Sequence, residues 1–339
     1  MDAKTALQQI RKGQVSPIYL CYGTEKYQIQ QFITLLTEHV TQEEHRDFGI
    51  VPFDLSETPI EAVVEEAETI PFLVPKKLIL VKDSSVFTSG RDQNKIDHQL
   101  DRLLAYMDNP TEYSVIVFIV EGEKLDERKK VVKSMKNAGT VLSFMPLSGE
   151  QLVEWVTHQA EKRGCKLAAG AADALIRNAG TQLQTLSAEL DKLALYAGQG
   201  GIIDVEIVDI LVARSTEQNV FVMIEEIANL RLEKALNLYY DLLKQREEPI
   251  KIAALISRQF RIMLQVKELG QQSYSQQQIA SQIGIHPYAV KIAGEQARKF
   301  DTGRLRRILA DLGELDYQMK TGAIEKVLGL ELFLLKLGA

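Results

Sequence analysis

Through the first 146 positions, apolar residues fall into short unbroken runs that alternate with longer stretches of helical spacing. The run Ser16-Pro-Ile-Tyr-Leu-Cys-Tyr-Gly23 is opened by proline and closed by glycine, and predicts a buried strand. Runs at Ile50–Leu55, Lys77–Val81, Ser114–Val120 and Thr140–Phe144 predict further strands. A short amphipathic helix is expected over 3–12. Tyr27, Ile29, Phe32, Ile33, Leu36 and Val40 recur at helical spacing and predict a long one. Helical patterns also fill 58–69, 93–107 and 125–138. Strands alternating with helices of this length imply βαβ units on a parallel sheet. The runs at 78–81 and 115–120 are apolar throughout, as expected of strands covered on both faces.

The pattern changes at Pro146. Ser148 and Gln151 have the spacing of a capping box, opening a helix with Leu152 and Val156 inward. Leu183, Leu186, Leu190 and Leu193 mark a helix over 181–197 that Gly198 stops. Helical spacing then continues at 204–211, 218–229, 231–246, 250–269, 275–283, 287–299, 302–320 and 323–337, and no strand pattern recurs. The expected fold class is α/β plus all-α. A parallel-sheet domain spans 1–146, a small helical domain 147–213 and a larger helical domain 214–339.

Composition narrows the class. Hydrophobic residues at 45% and charged residues at 25% of 339 are ordinary globular values, which excludes disordered, collagenous and coiled-coil chains. Cys21 and Cys165 are far apart and lack a CxxC partner, so zinc-ribbon and disulfide frameworks have no support and both read as reduced core thiols. No run approaches the ~18 apolar residues of a bilayer span, and MDAKTALQQIRKG has no apolar core of a signal peptide. A cytoplasmic location is expected. Net charge is −6, which argues against a chain that grips nucleic acid by bulk charge. The charge is uneven, with 17 basic against 12 acidic residues from Arg231 onward and 23 against 34 before it. Such asymmetry suits modules with different neighbours, although solvated helix faces produce it as well.

A parallel sheet whose first strand ends in glycine raises the question of a nucleotide site. A phosphate loop needs GxxxxGK[ST] directly after the strand. Counting from Gly23, the second glycine position holds Gln28, the lysine position Ile29 and the Ser/Thr position Gln30. Glu25 adds a charge that would repel phosphate. The acid pair that should end a neighbouring strand is missing too, since Leu78–Val81 runs into Lys82-Asp83-Ser84 and Val115–Val120 into a lone Glu121. His39, His45, His98, His158 and His286 form no HExxH or HxH pair, and no GxSxG or GxGxxG turn occurs. Gly198-Gln-Gly-Gly201 reads as the end of a helix rather than a phosphate nest. No catalytic constellation is present.

Several segments, in order over nearly the whole chain, resemble the delta subunit family of the bacterial DNA polymerase III clamp loader. They are Ile18-Tyr-Leu-Cys-Tyr-Gly-Thr-Glu25 leading into a helix, Pro71-Phe-Leu-Val-Pro-Lys-Lys-Leu-Ile-Leu-Val-Lys82, Val115–Glu123 with Lys124-Leu-Asp126, and Pro287-Tyr-Ala-Val-Lys291. Each is weak alone; the combination with a degenerate phosphate loop in the expected place is specific. The resemblance implies an AAA+-like domain over 1–146 that has lost ATP binding, a helical lid over 147–213 and a helical collar over 214–339. It implies no cofactor and no catalysis by this chain, within a holoenzyme whose overall reaction is nucleotidyl transfer in DNA replication. The partners it implies are the sliding clamp (beta subunit), the tau/gamma motor and delta-prime subunits, and primed DNA inside the complex, with no membrane. In such a subunit the amino-terminal domain binds the clamp and opens it. Work of this kind comes from binding the open ring better than the closed one, with ATP consumed by the motor subunits.

In that family, a pair of hydrophobic side chains contacts the clamp from the end of the helix before the strand matched here by Lys77–Val81. The matching segment, Thr69-Ile-Pro-Phe-Leu-Val-Pro75, assigns the contact to Ile70, Pro71, Phe72 and Leu73. Some relatives carry a small polar residue before the pair, where this chain has Ile70 and Pro71, so the pair is Phe72-Leu73 or is shifted by one. Without the resemblance, Phe72, Leu73 and Val74 read more simply as core folded back onto the sheet. Lys129, Lys133 and Lys136 share one face of the 125–138 helix and could track phosphate, although a solvated face explains them as well. Arg298-Lys299 and Arg304, Arg306-Arg307 form a second basic cluster, suited to subunit contacts or DNA. A rival reading comes from Ile279–Val290, where Ala280, Gly284 and Val290 have helix-turn-helix spacing and suggest a sequence-specific DNA binder. Its second helix would begin Pro287-Tyr-Ala-Val-Lys-Ile, without the Arg, Asn or Gln of a base reader. A third reading, a cryptic nucleotidase, is opposed by the missing loop residues.

Overall fold

The computed structural model describes residues 3–89 and 96–338. The chain divides into two compact units, residues 1–146 and 147–339. In the first, the elements are α1 (Ala3–Arg11), β1 (Ile18–Gly23), α2 (Lys26–Val40), α3 (Arg46–Gly49), β2 (Ile50–Asp54), α4 (Ile60–Glu68), β3 (Lys77–Lys82), α5 (Leu100–Asp108), β4 (Ser114–Glu121), α6 (Lys130–Ala138) and β5 (Thr140–Phe144), with short 3-10 turns at Glu43–His45 and Ser85–Phe87. The five strands form one parallel sheet in the order β2-β3-β4-β1-β5.

Alternate residues of the inner strands β3, β4 and β1 enter opposite cores. Ile18 and Leu20, Ile79 and Val81, and Ile116 and Phe118 pack under α4, α5 and α6. Tyr19 and Cys21, Leu78, and Val115 and Val117 pack under α1 and α2 with Phe32 and Leu36. Both faces are covered, which is why these strands read as continuous apolar runs. Each fully buried aliphatic or aromatic side chain contributes roughly 1.5–3 kcal/mol relative to exposure.

Two helix starts differ from the pattern. The helix expected over 93–107 begins at Leu100; residues 96–99 are not helical, and 93–95 lie outside the described residues. His98 is used elsewhere, since its Nδ1 accepts from the Ile60 backbone N–H at 3.2 Å and so caps α4. The helix expected over 125–138 begins at Lys130, because Asp126 ties down a turn, accepting from the Arg128 backbone N–H at 3.1 Å and from its guanidinium at 2.9 Å.

The second unit contains α7 (Gly149–Lys162), β6 (Lys166–Leu167), α8 (Ala171–Ala179), α9 (Leu183–Ala197), β7 (Ile202–Ile203), α10 (Val205–Leu211), α11 (Thr216–Ala228), α12 (Leu232–Lys244), α13 (Pro249–Gln271), α14 (Gln276–Ile283), α15 (Pro287–Ala297), α16 (Thr302–Thr321) and α17 (Lys326–Gly338). The Ser148–Gln151 capping box is present. The sequence pattern predicts neither α8 nor the two-residue parallel pair β6–β7, so the expectation that no strand recurs after Pro146 is corrected. A single apolar core, centred on Tyr239, Ile256, Phe260, Leu305 and Leu334, unites α11 through α17.

Candidate functional site

α4 leads from the C-terminal end of β2 back to the N-terminal end of β3, and residues 69–76 make the turn between them. Phe72 is 91% exposed there, Ile70 76% and Leu73 51%, whereas Val74 is only 7% exposed. Of the three residues that could have folded back onto the sheet, only Val74 does.

The turn rests on a fixed footing. An α-helix leaves its last four carbonyls without partners of its own, and in α4 each of the four is satisfied from elsewhere. Glu65 O accepts from the Thr69 hydroxyl at 2.8 Å and, with Glu66 O, from the Thr69 backbone N–H at 3.1 Å. Glu66 O also accepts from the Lys77 ammonium, which is 3% exposed and ion-paired with the Glu66 carboxylate at 2.6 Å. Ala67 O accepts from the hydroxyls of Ser114 at 2.8 Å and Thr111 at 3.0 Å, and Glu68 O from that of Tyr113 at 2.8 Å. A buried cation at a helix C-terminus also complements the helix dipole. Pro71 and Pro75 restrict the backbone on either side of the exposed pair. The result is two apolar side chains held in solvent on a preorganised turn, the arrangement of a partner-binding hot spot.

The opposite end of the sheet, where nucleotides bind in parallel α/β folds, is built differently. Gly23 has φ +142° and lies so close to β5 that a Cβ there would stand 2.0 Å from the Phe144 carbonyl oxygen. That same oxygen accepts from the Glu25 backbone N–H at 3.0 Å, so an amide that a phosphate loop would turn toward ligand is already engaged. Lys26 pairs with Glu121 at 2.8 Å. Asp83, with φ +47°, follows β3; burial, followed by the charges of Asp54 and Glu121, pushes its carboxyl up. Burial likewise raises that of Glu25. This end presents carboxylates where phosphates would sit.

The three lysines do not form one free stripe. Lys129 is not on α6 but at its N-cap, and its ammonium donates to Val86 O at 2.9 Å. Lys136 is paired with Glu127 at 2.6 Å, while Lys133 is exposed without an ion pair among the described residues. In the second cluster, Arg304 donates to Leu337 O at 2.9 Å, Arg306 pairs with Glu268 at 2.8 Å, and Lys299 bonds Asn229. The helix-turn-helix spacing corresponds to a real turn, with Gly284 at φ +76° between α14 and α15. Tyr288, Val290 and Ala293 of its second helix are buried in packing, and the exposed face there offers Lys291 but no Arg, Asn or Gln within 287–292. Cys21 and Cys165 are buried and free. Among the described residues, no helix is long and apolar enough to cross a membrane.

Phe72 and Leu73 stand out in the local sequence, but the footing beneath them does not. Thr111, Tyr113 and Ser114 come from more than forty positions downstream, and nothing in their local pattern marks them.

Comparison with known proteins agrees with the two-unit description. Residues 19–145 match the family described as DNA polymerase III, delta subunit, and residues 217–337 match its C-terminal domain family. The DNA polymerase III subunit delta of Bacillus subtilis is 39% identical over 328 residues, covering 97% of this chain and 94% of that one. A probable DNA polymerase III subunit delta of Aquifex aeolicus is 20% identical over 301 residues, covering 88% and 85%. Among solved structures, the Bacillus subtilis DNA clamp loader delta protein is similar with a TM-score of 0.81 at 38% identity, over 99% of both chains.

Proposed function

Because the chain belongs to the DNA polymerase III delta subunit family, we propose that within the replication clamp loader it is the subunit that grips the sliding clamp and favours its open form. The observation that carries this reading is the exposure of Phe72 and Leu73 on a turn whose footing is hydrogen-bonded throughout. Ile70 and Pro71 complete the contact, and Phe72-Leu73 is the register that the exposure favours. In this reading residues 1–146 bind the clamp without nucleotide, 147–213 form a lid and 214–339 a collar that joins the motor and delta-prime subunits around primed DNA. The chain performs no catalysis of its own and acts in the cytoplasm. The engaged Glu25 amide and the carboxylates at the nucleotide end of the sheet support a non-catalytic role. Of the three lysines, Lys133 is the one placed to meet a phosphate.

Replacing both Phe72 and Leu73 by Ala tests the reading. Two hot-spot anchors at ~2 kcal/mol each would lower clamp affinity by roughly a thousandfold, since 1.4 kcal/mol is tenfold. The melting temperature should stay within about a degree of the parent, because both side chains are exposed. Unchanged clamp binding by the double variant would refute the proposal.

A further inference from the structure

We infer that Phe48 is a third apolar anchor on the same partner surface, so that the clamp contact extends from the 69–76 turn onto the entrance of the edge strand β2. Resting on the clamp-binding reading above, this adds a residue that neither the sequence resemblance nor the family match singles out.

The first observation is where the unit exposes apolar surface. Among the described residues of the first unit, the large hydrophobic side chains that are exposed are Phe48 at 61%, Ile70, Phe72 and Leu73. Scattered exposed hydrophobics are ordinary and need no account. These are not scattered. All lie at the end of the sheet where β2 and β3 begin, and none at the end where they finish.

The second observation is a joint that brings the two segments together. α3 closes directly onto Ile50, and Ile50 pairs with Leu78 in the parallel register, so one step back sets Gly49 beside Lys77. Gly49 is buried, with no room for a side chain: a Cβ there would stand 2.6 Å from Thr41 Cγ2 and 3.6 Å from Val74 Cγ1. Val74, the one buried apolar residue of the turn, thus lies close enough to Gly49 that a Cβ there would touch it. Phe48 and Leu73 are the sequence neighbours of this contact, one on each side, and both face solvent. β2 is the outermost strand, so no further strand shields Phe48.

The surroundings say what kind of partner fits. Phe48 is the lone hydrophobe in Gln-Glu-Glu-His-Arg-Asp-Phe, where Glu43, Glu44 and Asp47 are exposed and outnumber the nearby cations, the partly exposed Arg46 and the exposed Lys76, while Glu68 at the end of α4 is paired with Arg102. An apolar centre with an acidic rim calls for an apolar cleft bordered by basic residues, in the usual layout of a protein interface. The occupant is the clamp surface next to the cleft that receives Phe72 and Leu73.

Titrating the full chain and its variants against the sliding clamp tests this. Phe48→Ala should weaken binding about tenfold and leave the melting temperature unchanged, and Phe48→Leu should restore most of the affinity. A second readout does not depend on affinity. Cys21 and Cys165 are buried, so maleimide labelling of a Phe48→Cys variant should be slow to react elsewhere and should be protected by added clamp. If the Phe72 and Leu73 double variant loses the clamp while Phe48→Ala binds like the parent and the Phe48→Cys site stays unprotected, this inference fails and the clamp-binding reading stands. If the double variant keeps the clamp, that reading fails, and this one with it.

Discussion

His286 is bonded through one ring nitrogen and sealed at the other. Its Nδ1 accepts from the Tyr288 backbone N–H at 3.1 Å as the N-cap of α15, which leaves the proton on Nε2, buried without a partner. Burial holds the imidazole pKa down at about 4. The folded ring therefore stays neutral where the unfolded ring, near its usual value of about 6.5, takes up a proton. Stability is complete above about pH 6.5 and is lost as the pH falls toward 4, by roughly 2 kcal/mol for a partly buried group. His286→Asn keeps a capping side chain and removes the titration. Denaturant midpoints of the two proteins at pH 7 and pH 4.5 should differ in slope, the variant losing less on acidification; parallel losses would assign the acid sensitivity elsewhere.

At the scale of the element, the end of α4 decides how the exposed pair is presented. Lys77→Met preserves length and burial but removes one of the two donors to Glu66 O, the Thr69 N–H remaining, and the ion-pair partner of the Glu66 carboxylate, at a cost of about 1–3 kcal/mol. Clamp affinity should fall about tenfold with Phe72 and Leu73 intact, because ordering the turn then opposes binding. Hydrogen exchange at residues 69–76 should quicken in the same variant, and unaltered exchange would show that the turn does not depend on Lys77. This footing is what the sequence hides. The strands at Lys77–Lys82 and Ser114–Glu121 are legible because burial on both faces leaves an unbroken apolar run. α8 is missed because its nine residues, closed in by Gly170 and Gly180, are too few for an apolar spacing to repeat, and β6–β7 because two residues carry no period. The start of α5 is misplaced because His98 and Gln99 serve the beginning of α4, thirty-eight positions away, with His98 capping Ile60 and Gln99 N–H donating to Glu61 at 3.1 Å. The same rule holds at the site. Phe72 and Leu73 stand out locally, while the hydroxyls that hold them are long-range partners that only the fold brings near.

For the whole molecule, the two units have separate cores. Both cores of the sheet draw only on residues 6–144, and the large helical core only on 220–337. A fragment of residues 1–146 should accordingly fold cooperatively and bind the clamp within a few-fold of the full chain, as seen in a melt and a titration. It should not co-purify with the motor subunits, and co-purification would move the collar role out of 214–339. The net basicity that begins at Arg231 falls inside the second unit, on the part proposed to face other subunits and DNA.

The pinned end of α4 has a mechanical consequence. A compliant loop would mould itself to either shape of a ring-like partner, bind both with equal free energy and shift neither. A stiff one cannot accommodate a cleft of the wrong shape, so a mismatch is charged to the partner as strain. In the clamp contact proposed above, four hydrogen-bonded carbonyls and two prolines would make this chain the low-compliance side. Rigidity at that turn, more than the apolar area it offers, would set how far the ring is sprung.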